Sequence, residues 1–572
     1  MKILKSGITI ILMWIFLVVP NTVFAEKTVK VFFDNTELQF EVDPLIKEGS
    51  TFVPLRPIFE RMGFKVSWYE EEQSVTGKKD NLSITMEINS PIAYVNGKAI
   101  KLQAPVQIVE NTTLVPLRFI SENSGFPINW DPDSHIVTIQ SPDKIQPDKL
   151  NPFDIVAYNV KSFGAKGDGL TDDTLSIQIA LEQVSKRKGT LFFPSGTYIV
   201  DATQKLTVNS YTKIIGEGSS TGLKAKSNVE FGTSLLTISG NDVAMSYLSL
   251  DGNQRVINIL LVDSNSSNIM VDNCVIANAS QSNNPSRDDY NEVVSGITIF
   301  GNTNTITIDH SEIKNIKAIH ENQGSLVARG IYLTENKSGW LEKAAKNISI
   351  VNNYIHDIGP ADDGDGIFYE DPNLEKNIIE DTNSTISNNR FENCAKRAIK
   401  INARGVRIIG NLIVNNYMNN NYYEGKNKNS LAPDMYAGIS IYADNNIVSE
   451  NILQGKGSFY AGIEITAERM VSHVIVSNNK IKMGSYSNLG GKTSIRIGYV
   501  DHFTISNNEL ENGETGIWTW QSASNGTING NKIIMPGGGG INLETYIPNN
   551  YKKAIEIKDN SIHASDYDVN HA

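Results

Sequence analysis

Nine times between Gly296 and Glu544 the chain returns to one phrase: a small residue, isoleucine, any residue, an apolar residue, any residue. It reads Gly296-Ile297-Thr298-Ile299-Phe300, Gly330-Ile331-Tyr332-Leu333-Thr334, Gly366-Ile367-Phe368-Tyr369-Glu370 and Ala398-Ile399-Lys400-Ile401-Asn402, and it recurs from Gly438, Gly462, Ser494, Gly516 and Gly540. Alternation with period two marks a strand, and recurrence every 22 to 40 residues marks stacked coils whose length variation sits in loops at fixed corners. A second strand of each coil closes on asparagine: Asn353, Asn389, Asn411, Asn451, Asn479, Asn508, Asn531 and Asn560. An inward asparagine at each turn can bond the backbone above and below, satisfying turn amides that would otherwise be buried unpaired. These constraints leave a solenoid of parallel strands.

Upstream of the repeats runs Asn159-Val160-Lys161-Ser162-Phe163-Gly164-Ala165-Lys166-Gly167-Asp168-Gly169-Leu170-Thr171-Asp172-Asp173-Thr174. Thr171 is placed to cap a helix over 171–187, with Asp172 and Asp173 in its first turn, favourable to the helix dipole. Ile177, Ala180, Leu181 and Val184 form one apolar stripe, and Gly189 ends the helix before Thr190-Leu191-Phe192-Phe193-Pro194-Ser195-Gly196-Thr197-Tyr198 starts a strand. This string resembles the entry motif of the pectate lyase/rhamnogalacturonase superfamily. The resemblance implies a mostly β fold, a right-handed parallel β-helix over 154–572 whose open end the helix covers. Hydrolases, lyases, epimerases and phage tailspikes share the motif, so it carries fold rather than chemistry.

The first 150 residues read differently. Lys2 and Lys5 precede an apolar run from Ile8 to Val19, Pro20 ends it, and Val23-Phe24-Ala25 offers a cleavage site, the pattern of a signal peptide over 1–25. Residues 26–141 are a duplication. Thr51-Phe52-Val53-Pro54-Leu55-Arg56 returns as Thr113-Leu114-Val115-Pro116-Leu117-Arg118, and Gly63-Phe64 with Trp68 returns as Gly125-Phe126 with Trp130. Each copy predicts a strand, a short helix and a returning strand. The unit resembles the copper amine oxidase-like N-terminal domain of secreted Gram-positive proteins. His135 is its one histidine, so no copper is expected, and the resemblance implies a spacer or a cell-wall glycan contact. Residues 142–153, with Pro142, Pro147 and Pro152, read as a linker.

The net charge of −12 is spread along the chain, with no basic stripe of the kind nucleic acid requires. No segment after the leader is long and apolar enough to span a bilayer, so a secreted or wall-associated protein is expected. Cys274 and Cys394 fall in corresponding turns three coils apart, about 14 Å at a strand spacing of ~4.8 Å, which is too far for a disulfide.

Strand alternation sends the variable positions outward in two columns. The first runs Thr298, Tyr332, Phe368, Lys400, Ser440, Glu464, Arg496, Trp518, Asn542. The second runs Phe300, Thr334, Glu370, Asn402, Tyr442, Thr466, Gly498, Trp520, Glu544. Aromatic platforms mixed with charged and amide groups, one per ~4.8 Å rung, suit a polysaccharide, with Tyr332, Phe368, Glu370, Asn402, Tyr442, Glu464, Arg496, Trp518 and Trp520 as contacts. Three chemistries compete. In a lyase, Asp362, Asp363 and Asp365 hold calcium, the cation or Arg397 neutralises a uronate, and Lys400 takes the ring proton; an Asp-rich turn beside a lysine is similar to calcium-dependent pectate lyases. In a hydrolase, the same carboxylates serve as acid and base; Asp362-Asp363 resembles the aspartate pair of polygalacturonases, although that family's Asn-Thr-Asp and Gly-His-Gly motifs are absent. In a binder, the acidic turn is merely solvated. His356 and Asp357 adjoin the turn, and Glu464 with Arg496 reads as a weak surface ion pair.

Overall fold

The computed structural model describes residues 29–139 and 157–564, apart from 34–35, 48–49, 80–81, 103, 125, 127, 132–135, 229, 337–341, 375–379, 418–420, 467–468, 485–491, 536–538 and 545–553. The leader over 1–25, the linker over 142–153 and His135 lie outside the described residues. The chain divides into two units, Met1–Pro152 and Phe153–Ala572.

In the first unit each Pro-Leu-Arg does what its chemistry allows. Strand Ser50–Pro54 runs into helix Leu55–Arg61, and Thr112–Pro116 into Leu117–Ser124. Proline closes each strand, where its missing N–H costs least. The two copies meet through these strands, antiparallel, with Val53 opposite Val115. Those valines hold the same place in the two copies, so the duplication generates a local two-fold.

The second unit is the parallel β-helix. Among the described residues it comprises two sheets of fourteen strands and one of twelve, each strand hydrogen-bonded to its counterpart one coil on, with the short strand Glu321–Asn322 added antiparallel to the third sheet. The isoleucine of each phrase fills the core: Ile297, Ile331, Ile367, Ile399, Ile439, Ile463, Ile495 and Ile517 are all 0% exposed. Each fully buried isoleucine contributes roughly 1.5–3 kcal/mol. The preceding residue is small because coils touch there. A Cβ on Gly366 would lie 2.6 Å from the Ala398 carbonyl oxygen and 2.8 Å from the Phe391 ring.

The asparagine ladder forms as the spacing implies. The Asn411 side-chain oxygen accepts from the Asn389 backbone and side chain, both at 3.0 Å, while its own amide donates to Asn451 at 2.9 Å. The same bonds continue through Asn479, Asn508 and Asn531 to Asn560. Cys274 and Cys394 are free and buried.

The capping helix departs from its expected start. It spans Thr174–Lys186, with Asp173 at its N-cap position, and Thr171 belongs to strand Asp168–Asp172. The aspartates are taken up by the entry turn. Asp173 accepts from the Lys166 and Gly167 amides at 2.6 and 3.0 Å, and Asp172 accepts from Thr174. Carboxylates outcompete the threonine hydroxyl for these donors. Ile177, Ala180, Leu181 and Val184 are buried as the stripe predicts.

Candidate functional site

The first outward column is built in the inferred register. Tyr332 pairs with Phe368, Phe368 with Lys400, Lys400 with Ser440, Ser440 with Glu464, Glu464 with Arg496 and Arg496 with Trp518. It is not an exposed face, however. Phe368, Ser440, Glu464 and Arg496 are 0–8% exposed. Long side chains one rung apart cover one another, and what remains open is a cleft of about 1110 Å³ beside the column. Of the expected contacts, Phe368, Glu370, Lys400, Asn402, Tyr442, Glu464, Arg496 and Trp520 line it. Tyr332 stacks behind Phe368, 5.6 Å between ring centroids, and Trp518 lies beneath Arg496 rather than on the wall.

Lys400 is the chemically distinctive member. Its ammonium sits 4.2 Å from the Phe368 ring centroid and 5.8 Å from that of Tyr442, and it makes no hydrogen bond or ion pair among the described residues. Burial pushes its pKa down. Asp365 and Asp363 oppose that shift, while Arg329 and Arg397 add to it.

The acidic turn does not form a calcium cage. Residues Asp363–Glu370 are a strand, and the three carboxylates part company. Asp362 accepts from the Glu424 and Gly425 amides at 2.8 and 2.9 Å. Asp365, 0% exposed, lies between Arg329 at 3.0 Å and Arg397 at 3.2 Å. Asp363 bridges the same arginines at 2.5 and 3.0 Å. Burial would raise the Asp363 carboxyl, yet Arg329, Lys400 and Arg397 together hold it well below the usual carboxylate range. With every carboxylate committed, neither a hard cation nor acid–base exchange has a free oxygen pair here. Arg397 is equally committed and does not line the cleft; these groups brace the floor on which Lys400 stands.

The carboxylates that do reach the cleft are others. Glu370 accepts from the Thr334 hydroxyl at 2.9 Å and the Tyr332 hydroxyl at 3.3 Å. Asp371 takes the Asn373 amide at 2.9 Å, and burial raises its pKa. Glu464, 1% exposed, accepts from Ser440 at 2.8 Å and Tyr442 at 3.3 Å, with Arg496 4.0 Å away. Glu464 and Arg496 are therefore a buried pair, not a surface one. His356 sits on the second sheet, bonded to Asp357 at 2.7 Å and Glu312 at 3.0 Å, and takes no part in the cleft. Among the described residues the one cluster of His, Cys, Asp and Glu close enough to share an ion is Asp272, Asp309 and His310. It too lies away from the cleft, on the sheet carrying Ser267–Asp272 and Asn304–Asp309.

Sequence reasoning missed Arg329, Tyr436, Asp371, Arg469, Tyr499 and Gln521. Asp371 stands one residue past the second column, and Tyr436 two before its glycine, with Tyr460 repeating the place one coil on and stacking at 5.2 Å. Extending each phrase by two residues at either end would have found all of them but Arg469.

Comparison with known proteins agrees with this architecture. Residues 32–139 match the copper amine oxidase N-terminal domain, and residues 157–426 match the rhamnogalacturonase A/epimerase, pectate lyase-like family. No curated protein sequence matches the chain. Two structures of PfbA, a surface adhesin of Streptococcus pneumoniae, are each 18% identical. The first has a TM-score of 0.50 and covers 70% of this chain and 93% of its own; the second has 0.51, covering 68% and 100%. The catalytic unit of a GH87 alpha-1,3-glucanase from Streptomyces thermodiastaticus is 14% identical, with a TM-score of 0.48 over 88% of this chain and 86% of that one. At 18% identity the likeness to PfbA is one of fold. The chain thus resembles the rhamnogalacturonase A/epimerase, pectate lyase-like family over most of its β-helix and the copper amine oxidase N-terminal domain over most of its first unit.

Proposed function

We propose that the cleft binds an acidic polysaccharide and cleaves it by β-elimination, with Lys400 as the base. The observation that carries this is the state of Lys400: a groove-facing amine, half-buried, without a carboxylate in contact, its pKa lowered by desolvation. A neutral amine so placed can accept the ring proton beside a uronate carboxylate while the glycosidic C–O bond breaks and the electron pair leaves with the oxygen. Asn402, two residues along the same strand, and the Tyr442 hydroxyl face the same space and are the donors nearest to hand for the uronate. Phe368 and Trp520 supply ring faces for sugars. Calcium plays no part in this reading, since Asp363 and Asp365 are spent on arginines and Asp362 on backbone amides. In this reading the protein works outside the cell, which the leader pattern over 1–25 supports. The N-terminal unit would meet wall glycan through a cleft of about 570 Å³ beside Trp68.

A second reading is favoured by Asp371, whose raised pKa beside Glu370 gives a hydrolase acid and base. The deciding experiment incubates the full mature chain with uronate polysaccharides, with and without chelator. Ultraviolet absorbance from an unsaturated product, unaffected by chelator and abolished in both Lys400→Ala and Lys400→Arg, is the expected result; arginine cannot give up its proton at working pH. Reducing ends without absorbance, lost in Asp371→Asn, would establish hydrolysis instead. Binding with no product at all would make the protein a glycan binder.

A further inference from the structure

Three coils beyond Lys400 the groove changes character. The strand register Lys400, Ser440, Glu464, Arg496 sets Arg496 about 14 Å along the axis at ~4.8 Å per rung. Arg496 is 8% exposed, and its guanidinium lies 4.3 Å from the Trp520 ring, 5.0 Å from Tyr460 and 5.5 Å from Trp518. These aromatics fix its plane, but its Nε has no hydrogen-bond partner. It is not alone. Among the described residues, four buried side-chain polar atoms without a hydrogen-bond partner belong to residues lining this stretch of the groove: Arg496 Nε, Arg469 Nη2, Trp520 Nε1 and Gln521 Oε1. Three of the four are N–H donors.

A buried donor left unpaired is costly, and folds seldom keep several side by side without an acceptor to meet them. Arg469 spends its other terminal nitrogen on Asp444, and Arg496 has only the Tyr436 hydroxyl at 3.5 Å and Glu464 at 4.0 Å among the described residues. The backbone also reserves room here. A Cβ on Gly498 would stand 2.7 Å from Gln521 Oε1 and 3.0 Å from Trp520 Nε1, so glycine lets the indole lie close over the neighbouring rung. These coils lie beyond residue 426, where the family match ends.

We infer that Arg496, Arg469, Trp520 and Gln521 form a distal subsite for an anionic sugar unit, its carboxylate meeting the unpaired N–H donors and its ring lying on Trp520. The inference rests on the reading of the cleft as a glycan groove and deepens it. Because about three rungs separate this subsite from Lys400, a disaccharide at Lys400 cannot reach it, whereas a hexasaccharide spans both. Recognition of the acidic unit is thereby separated from the reacting bond, and chain length becomes a determinant of affinity.

The test is calorimetric titration of the full chain with uronate dimers and hexamers (galacturonate, mannuronate and guluronate series) and with a neutral glucan hexamer. Wild type should bind at least one uronate hexamer about tenfold or more tightly than its dimer, the effect of one charge-assisted hydrogen bond or more. Gly498→Ala should erase that advantage and leave dimer affinity unchanged; Arg496→Gln should do the same. Gly498→Ala removes no core volume and keeps the test sound if Arg496→Gln fails to fold. Equal weakening of dimer and hexamer, no weakening of either, or equal affinity for the neutral hexamer would overturn the inference. Lys400→Ala separates the two claims. Loss of turnover with the length effect intact supports both, whereas normal turnover with the length effect intact refutes the role of Lys400 alone. Binding of none of the uronates overturns both.

Discussion

Substituting Asn451 by alanine tests what holds the coils in register. Asn451 is 0% exposed, and its side-chain oxygen accepts from the Asn411 backbone N–H and side-chain amide, both at 2.9 Å. Its amide donates to the Ile408 and Ser449 carbonyls at 3.0 Å and to Asn479 at 2.9 Å. Alanine removes all of these. The Asn411 backbone N–H is then left buried with no acceptor, a loss of about 1–3 kcal/mol, while each ordinary bond removed adds about 1 kcal/mol or less. Roughly 2–4 kcal/mol is expected in all. Asn560 is the internal control. It accepts from the Asn531 N–H at 2.9 Å in the same way, but at a partly exposed rung, so water can replace it and Asn560→Ala should cost less than about 1 kcal/mol. Because a long solenoid need not melt in one step, the denaturation midpoint should be read together with hydrogen exchange of peptides covering 405–415, where the Asn411 amide loses protection. Equal effects of the two substitutions, or unchanged exchange at Asn411, would refute the view that the ladder exists to satisfy buried turn amides.

Three further outcomes follow from the site and the first unit. Lys400, a base whose folded pKa burial lowers below 10.5, destabilises the fold at neutral pH, and this penalty fades as pH rises through the folded pKa toward the unfolded value; Lys400→Met should raise the denaturation midpoint at pH 7, the gain vanishing at high pH, and wild-type turnover should climb with pH to a plateau reached before an exposed lysine would titrate. Asp365→Asn leaves Arg329 and Arg397 short of a buried counter-charge and should cost about 3–5 kcal/mol in chemical denaturation, while chelator leaves the wild-type midpoint unmoved. Residues 26–141 expressed alone should melt cooperatively and retain no copper after dialysis; stoichiometric copper by elemental analysis would refute this.

How far the sequence could be read depends on which interactions are local. The Gly-Ile phrase exposes its own alternation, and stacking one phrase on the next needs no information beyond period, so the core isoleucines, the asparagine ladder and the register from Tyr332 to Trp518 were all legible. The fate of Asp363 and Asp365 was not, because a short acidic side chain looks solvated until the rungs above and below it are known. Yet the clue stood one residue before each phrase: Arg329 precedes Gly330, Asp365 precedes Gly366 and Arg397 precedes Ala398, and the structure sets these three opposite one another. In a coil repeat a carboxylate flanked one rung either way by arginines is a buried brace, since charges ~4.8 Å apart in a sheet neutralise one another more readily than they leave water singly. Lys400 has no such neighbour. Its rung partners are Phe368 and Ser440, neither able to take its charge, so the fold isolates the amine proposed here as the base. The position that breaks charge pairing along a column, rather than the most acidic stretch of sequence, is where function is to be sought.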